Sequence, residues 1–134
     1  RPQRRVLTLT DAIIAGEGDG PLAPSPVPLG AVTFGTNVAA LEWVHCLLMG
    51  LDPRSIPLVA NAFKRSDWPL ADFAPDDICV GRNGKRLREA GDLCGFGRDF
   101  RAPRGWRGHC ERIHPCRARL GANQERAQSQ AALQ

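Results

Sequence analysis

"GAVTFGTNVAALEWVHCLLMG", residues 30–50, decides the fold, because the spacing of its apolar residues changes part-way along. Residues 30–36 are a short run of β-branched and aromatic side chains bounded by glycines, which predicts a strand. From Asn37 the period becomes helical. Val38, Leu41, Val44 and Leu48 recur at three- and four-residue steps, and Ala40, Trp43 and Leu47 widen the stripe. That is the pattern of an amphipathic helix. Thr36 or Asn37 is placed to cap its start, and Gly50 to close its end.

Working upstream, "RRVLTLTDAII" (4–14) alternates Leu7 and Leu9 with threonines, which predicts another strand, with Asp11 at its end. Between the two strands lies "GEGDGPLAPSPVPLG" (16–30). Its glycine-rich first half allows tight turning and close backbone approach. Its second half alternates Pro24, Pro26 and Pro28, each of which fixes its own φ and biases the residue before it to extended geometry. The expectation is a stiff loop, half hinge and half strut, bordering a site. Working downstream, "LDPRS" (51–55) reads as a turn. Ser55 then caps a short helix with Pro57 in its first turn and Leu58, Val59, Ala62 and Phe63 facing inward. "SDWPLADFAPDD" (66–77) reads as a loop with apolar anchors, "DICVG" (77–81) as a third short strand, and Asn83-Gly84 as a turn. The expected architecture is α/β, a small mixed sheet flanked by at least two helices. Residues 113–134 are polar and Gln-rich and read as a frayed helix or disordered tail.

The chain has 134 residues, 43% of them hydrophobic and 24% charged, as in a globular domain with its own core. No run of about 18 apolar residues occurs, so no membrane-spanning helix is expected. The net charge is +4. The first sixty residues hold four arginines against five acids, so the positive excess lies in the rest, almost all of it arginine. An odd count of five cysteines at irregular spacing, with no signal peptide, argues against a secreted disulfide framework and for a cytoplasmic setting. Cys46, inside the apolar helix, reads as a small core residue.

Three phrases carry a family resemblance. "TDAIIAGEGDGPLAPSPVPLG" (10–30), "AVTFGTNVAALEWVHCLLMGLDPRSIPLVANAF" (31–63) and "DFRAPRGWRGHCER" (99–112) resemble the C-terminal part of the family called domain of unknown function 362. The likeness is strong over 5–63, diffuse to 95, and returns near 100–112. It implies that 1–112 are the C-terminal portion of a larger domain whose N-terminal region is absent here. Some members of that family are iron–sulfur proteins with ferredoxin-like cysteine clusters. This chain has no C-x-x-C-x-x-C run, so a cluster of that type is not expected within it. It also departs from the family pattern at Ala12, where a glycine is usual, and at Glu42, where an aspartate is usual.

The candidate chemistry follows from the acids. Asp11 ends a strand, Glu17 and Asp19 lie in the loop, and Glu42 is on the next helix. Carboxylates on adjacent elements could hold a hard divalent cation such as Mg²⁺, or they could be solvated charges. Glu42 has Cys46 at i+4, which offers it no basic partner. Asp11, Glu17 and Glu42 are the expected metal contacts. The glycine loop lacks the lysine and hydroxyl of a phosphate-binding loop and carries acids instead. "HCERIHPC" (109–116) has zinc-ligand residue types without finger or ribbon spacing. His109, in "PRGWRGHCER", is the candidate acid–base group, with a turn pinned by a buried Trp106 as the plainer reading. No Ser-His-Asp or Cys-His set is legible from spacing, because such partners meet only in space. Two functions follow from this set: a metal- or cofactor-binding enzyme domain acting on a small-molecule ligand at a site bordered by residues 16–30, or an arginine-rich nucleic-acid-binding module using residues 98–119. A non-catalytic fragment is the third alternative.

Overall fold

The structure, a computed structural model, describes residues 5–87, 93 and 95–112. The expected tail, Cys94, His114 and Cys116 lie outside the described residues. The first two predicted strands are present as β1 (Thr8–Ala12) and β4 (Ala31–Gly35), paired antiparallel with Leu9 opposite Phe34. The stretch between them is not a stiff loop. It is a second antiparallel pair, β2 (Ala15–Asp19) and β3 (Ala23–Val27), with a cis Gly20-Pro21 bond in its turn. Residues 8–35 therefore form one long hairpin with a kink. Ala12 is opposite Ala31 and Ala15 is opposite Val27, so two residues on one side face three on the other. The Gly30 amide closes the kink on the Ile13 carbonyl at 3.0 Å. A one-residue offset of this kind bends a ladder, as a β-bulge does.

The prolines fit a strand because of their register. Pro24 and Pro26 lie opposite Gly18 and Gly16. The Gly18 amide points away from β3, to the Arg101 carbonyl at 2.8 Å. Gly18 and Pro24 are therefore a pair that exchanges no ladder hydrogen bond, and there the missing proline N–H costs nothing. The extended conformation expected of the proline segment is present; what the sequence hid was its pairing partner.

The helix α1 (Val38–Leu48) is the centre of the core. Asn37 caps it, its side-chain oxygen accepting from the Ala40 amide at 3.0 Å. At the other end Gly50 adopts φ +71, the Gly50 amide bonds to the Leu47 carbonyl, and the Leu51 amide bonds to the Cys46 carbonyl. That is a Schellman closure, which needs a left-handed residue after the cap. The remaining helix-end carbonyls are met by the C-terminal segment. Arg98, Phe100 and Arg112 donate their amides to Leu48, Met49 and Gly50 at 2.8–2.9 Å. Ala39, Leu41, Trp43, Val44, Cys46, Leu47 and Leu48 are buried, and Trp43 packs edge-on against Phe63 with centroids 5.2 Å apart. The buried arc is shifted from the predicted stripe: Val38 is half exposed.

The second helix, α2, is shorter than expected (Pro57–Asn61). Ser55 does not cap it; its hydroxyl donates to the Asp52 carbonyl within a preceding 3₁₀ turn over Pro53–Ser55. Val59 faces the core as predicted, but Leu58 is exposed. The third predicted strand is β5 (Val80–Arg82), joined to β6 (Lys85–Leu87) through Asn83 and Gly84, both at positive φ as a tight two-residue hairpin turn requires. The fold is thus α/β, with small antiparallel ladders beside two helices. Among the described residues each ladder has two strands.

Candidate functional site

The acids of the 16–30 stretch are occupied by arginines. Glu17 on β2 accepts the Arg101 amide at 2.8 Å, and its other oxygen lies 3.8 Å from the Arg101 guanidinium. That guanidinium also donates to the Ser25 hydroxyl on β3 at 2.7 Å. Asp19 repeats the pattern one step along. It accepts the Arg104 amide at 2.8 Å and lies 3.8 Å from the Arg104 guanidinium. The Arg104 amide, helped by the charges of Arg104, Arg107 and Arg101, holds the Asp19 carboxyl below its ordinary value. The arginine-rich segment is a strap across the hairpin, and the acids are its fastenings.

The other expected metal contacts lie elsewhere. Asp11 sits on the outer face of β1, where its carboxylate accepts the Ile13 amide at 2.9 Å. Glu42 is on the exposed side of α1, 3.5 Å from the His45 ring. The structure does not bring Asp11, Glu17 and Glu42 together. Among the described residues no group of three or more His, Cys, Asp or Glu side chains could hold a metal ion. The expectation that Glu42 has no basic partner is corrected: the partner is at i+3, a spacing that also places side chains on one helix face.

His109 is exposed, in a turn where its amide bonds to the Trp106 carbonyl at 3.1 Å. Trp106 is not the buried pin expected of it; it is 47% exposed. The buried residue of that turn is Cys110, whose thiol donates to the Trp106 carbonyl at 3.4 Å and is pushed up from its ordinary value by burial. Cys46 is buried in the core as expected, its thiol pushed up to about 12 chiefly by burial, which makes it an unreactive neutral group.

What spacing could not show is a chain of three side chains between β4 and α1. The Thr33 hydroxyl lies 2.8 Å from Nε2 of His45, and Nδ1 of His45 lies 3.5 Å from the Glu42 carboxylate. With a proton on Nδ1 facing Glu42, Nε2 is left to accept from Thr33. Thr33 opens onto a cleft of about 610 Å³ between β4, α1 and residues 77–81. Asn37, Leu41, Phe73 and Cys79 also line it, so its wall mixes apolar surface with a few polar groups. This size and composition suit a small-molecule site. A hydroxyl, an imidazole and a carboxylate in contact form a path for proton transfer. The sequence signal was Glu42 and His45 at i and i+3; it does not say that Thr33 faces inward or that strand and helix meet there.

No known protein family matches the chain, and no solved structure matches it. Among curated proteins it is similar to a "thylakoid-associated protein" of Synechocystis sp., at 37% identity over 54 residues. Those residues are 40% of this chain and 17% of the relative, so the match spans less than a fifth of that protein's length. No helix among the described residues is long and apolar enough to cross a membrane.

Proposed function

We propose that this chain is the C-terminal part of an α/β domain of the domain-of-unknown-function-362 kind, and that its share of the domain's site is the cleft between β4 and α1. Thr33 presents its hydroxyl to a small-molecule ligand held there, and His45, behind it, exchanges the proton of that hydroxyl. The observation that carries the reading is the Thr33–His45–Glu42 contact chain, whose Thr33 end lines that cleft while His45 and Glu42 lie behind it. Against a cation at Asp11, Glu17 and Glu42 stands the engagement of Glu17 by Arg101. Against nucleic acid stands the engagement of Arg101 and Arg104 by carboxylates. Cys46, Cys79 and Cys110 are free thiols, which supports the reducing cytoplasm as the setting.

The test is a fragment screen read by amide and imidazole NMR shifts. Small polar–aromatic fragments should perturb Thr33, Asn37, His45 and Cys79 together, and Glu42→Gln should change the tautomer balance of the His45 ring. Shifts that gather at Glu17 and Asp19 instead, or none at millimolar fragment, would overturn the reading.

A further inference from the structure

The two strands β1 and β4 show burial that alternates in phase across the ladder. Thr8, Thr10, Ala12, Ala31, Thr33 and Gly35 face inward. Thr33 reaches His45, and a Cβ on Gly35 would meet the Leu41 side chain, so α1 covers that face. The opposite face of the ladder is Leu9, Asp11, Val32 and Phe34, with Leu9 opposite Phe34 and Asp11 opposite Val32. Leu9 is 71% exposed, Phe34 63% and Val32 57%; Leu7 and Ile13, flanking β1, are open as well. The polarity is inverted relative to an ordinary half-buried ladder, which turns its apolar residues inward and its threonines to water. Leu7 and Leu9, which alternate with threonines in the sequence, meet solvent.

We propose that this outer face docks an amphipathic helix supplied by further polypeptide of the same protein, making β1 and β4 the middle layer of a three-layer α/β domain. Three observations select that occupant. First, the inner face already carries α1, and a sheet face that is apolar must be buried against another element. Second, Asp11 is the one charge on that face of the ladder, so the occupant is an apolar stripe with a lysine or arginine beside Asp11. Third, more than four-fifths of the Synechocystis relative lies outside its match to this chain, which is ample polypeptide for a second layer. Val32 and Phe34 also border the cleft, but Leu7, Leu9 and Ile13 do not, and the face is the side of the ladder opposite the Thr33–His45 contact.

The test uses the 134-residue chain co-expressed with the Synechocystis protein from which the matched 54 residues have been deleted. A one-to-one complex should form, with Leu9, Val32 and Phe34 protected from hydroxyl-radical labelling that reaches them in the chain alone. Phe34→Lys should weaken the complex at least about tenfold, as loss of a central aromatic anchor does, while thermal melting of the chain alone stays unchanged. Trp106→Lys, at an exposed site elsewhere, should leave the complex intact. No complex at about 100 µM, or one indifferent to Phe34→Lys, would overturn the proposal. So would a dimer of the chain alone that Phe34→Lys dissolves, which gives the face to a second copy. Binding to phosphatidylglycerol vesicles that is lost in the same variant would overturn it too, because the face would then belong to a lipid surface.

Discussion

The long hairpin has two halves that are finished in opposite ways. The distal half, β2–β3, carries acids, glycines and prolines, and its acids are met: Glu17 and Asp19 each take a backbone amide and a guanidinium from the 101–104 strap. The proximal half, β1–β4, is the more apolar in sequence, yet its apolar side chains are exposed. The lesson is that polar groups can be satisfied by a few directional bonds from one passing segment. Apolar surface needs a whole covering layer. The half that looks loose in sequence is closed, and the half that looks like core is open.

Substitutions at adjacent positions would break this contrast most sharply. Gly35→Val drives side-chain atoms into Leu41 on the helix-covered face and should cost about 3 kcal/mol in denaturant unfolding. In the distal half, Gly18 sits at φ +81 against the Arg101 guanidinium. Gly18→Ala should cost about 1–2 kcal/mol by the same measurement, through left-handed backbone strain and a displaced strap. Glu17→Gln keeps the shape and removes the charge, so about 1 kcal/mol should be lost, with hydrogen exchange rising at the Arg101 amide. Phe34→Lys, one residue from Gly35 but on the bare face, should stay within about 0.5 kcal/mol in the chain alone. A large loss there would mean that the outer face is already packed.

Acid offers a further way to separate the halves. Asp19 is held below its ordinary 3.8 by the Arg104 amide. Glu111 is held below its ordinary 4.5 by backbone N–H bonds, its own first and then those of Gly108 and its neighbours. Both folded-state values lie below the unfolded ones. Their stabilisation is therefore complete above the ordinary values and is lost as pH falls through the lowered ones. Melting temperature should drop below about pH 4, and strap amides should open before β1–β4 amides do. Asp19→Asn should flatten its part of that drop; an unchanged acid profile would mean that the strap is not fastened through Asp19.

Much of the fold was legible along the chain. Strand, helix and caps around residues 30–50 follow from local periodicity and from Asn37 and Gly50, because those interactions span three or four residues. The Asn83-Gly84 hairpin follows for the same reason. The 16–30 hairpin did not, because its partners are glycines and prolines, which carry no alternating apolar signal. Ser55 and Leu58 misled because a 3₁₀ turn took the hydroxyl and shortened α2.

By itself the sequence determined which residues form β1, β4 and α1, and that Cys46 belongs to the core. Each of these is a local statement about spacing, backbone freedom or residue type. Only the tertiary structure decided that the acids of 16–30 meet Arg101 and Arg104, more than eighty positions away. It alone joined Thr33 on a strand to His45 and Glu42 on a helix, and it alone turned Leu9 and Phe34 outward. The physical reason is register. A strand residue faces in or out according to which face of its ladder the helix covers, and that choice is made by packing at a distance rather than by the residue or its neighbours.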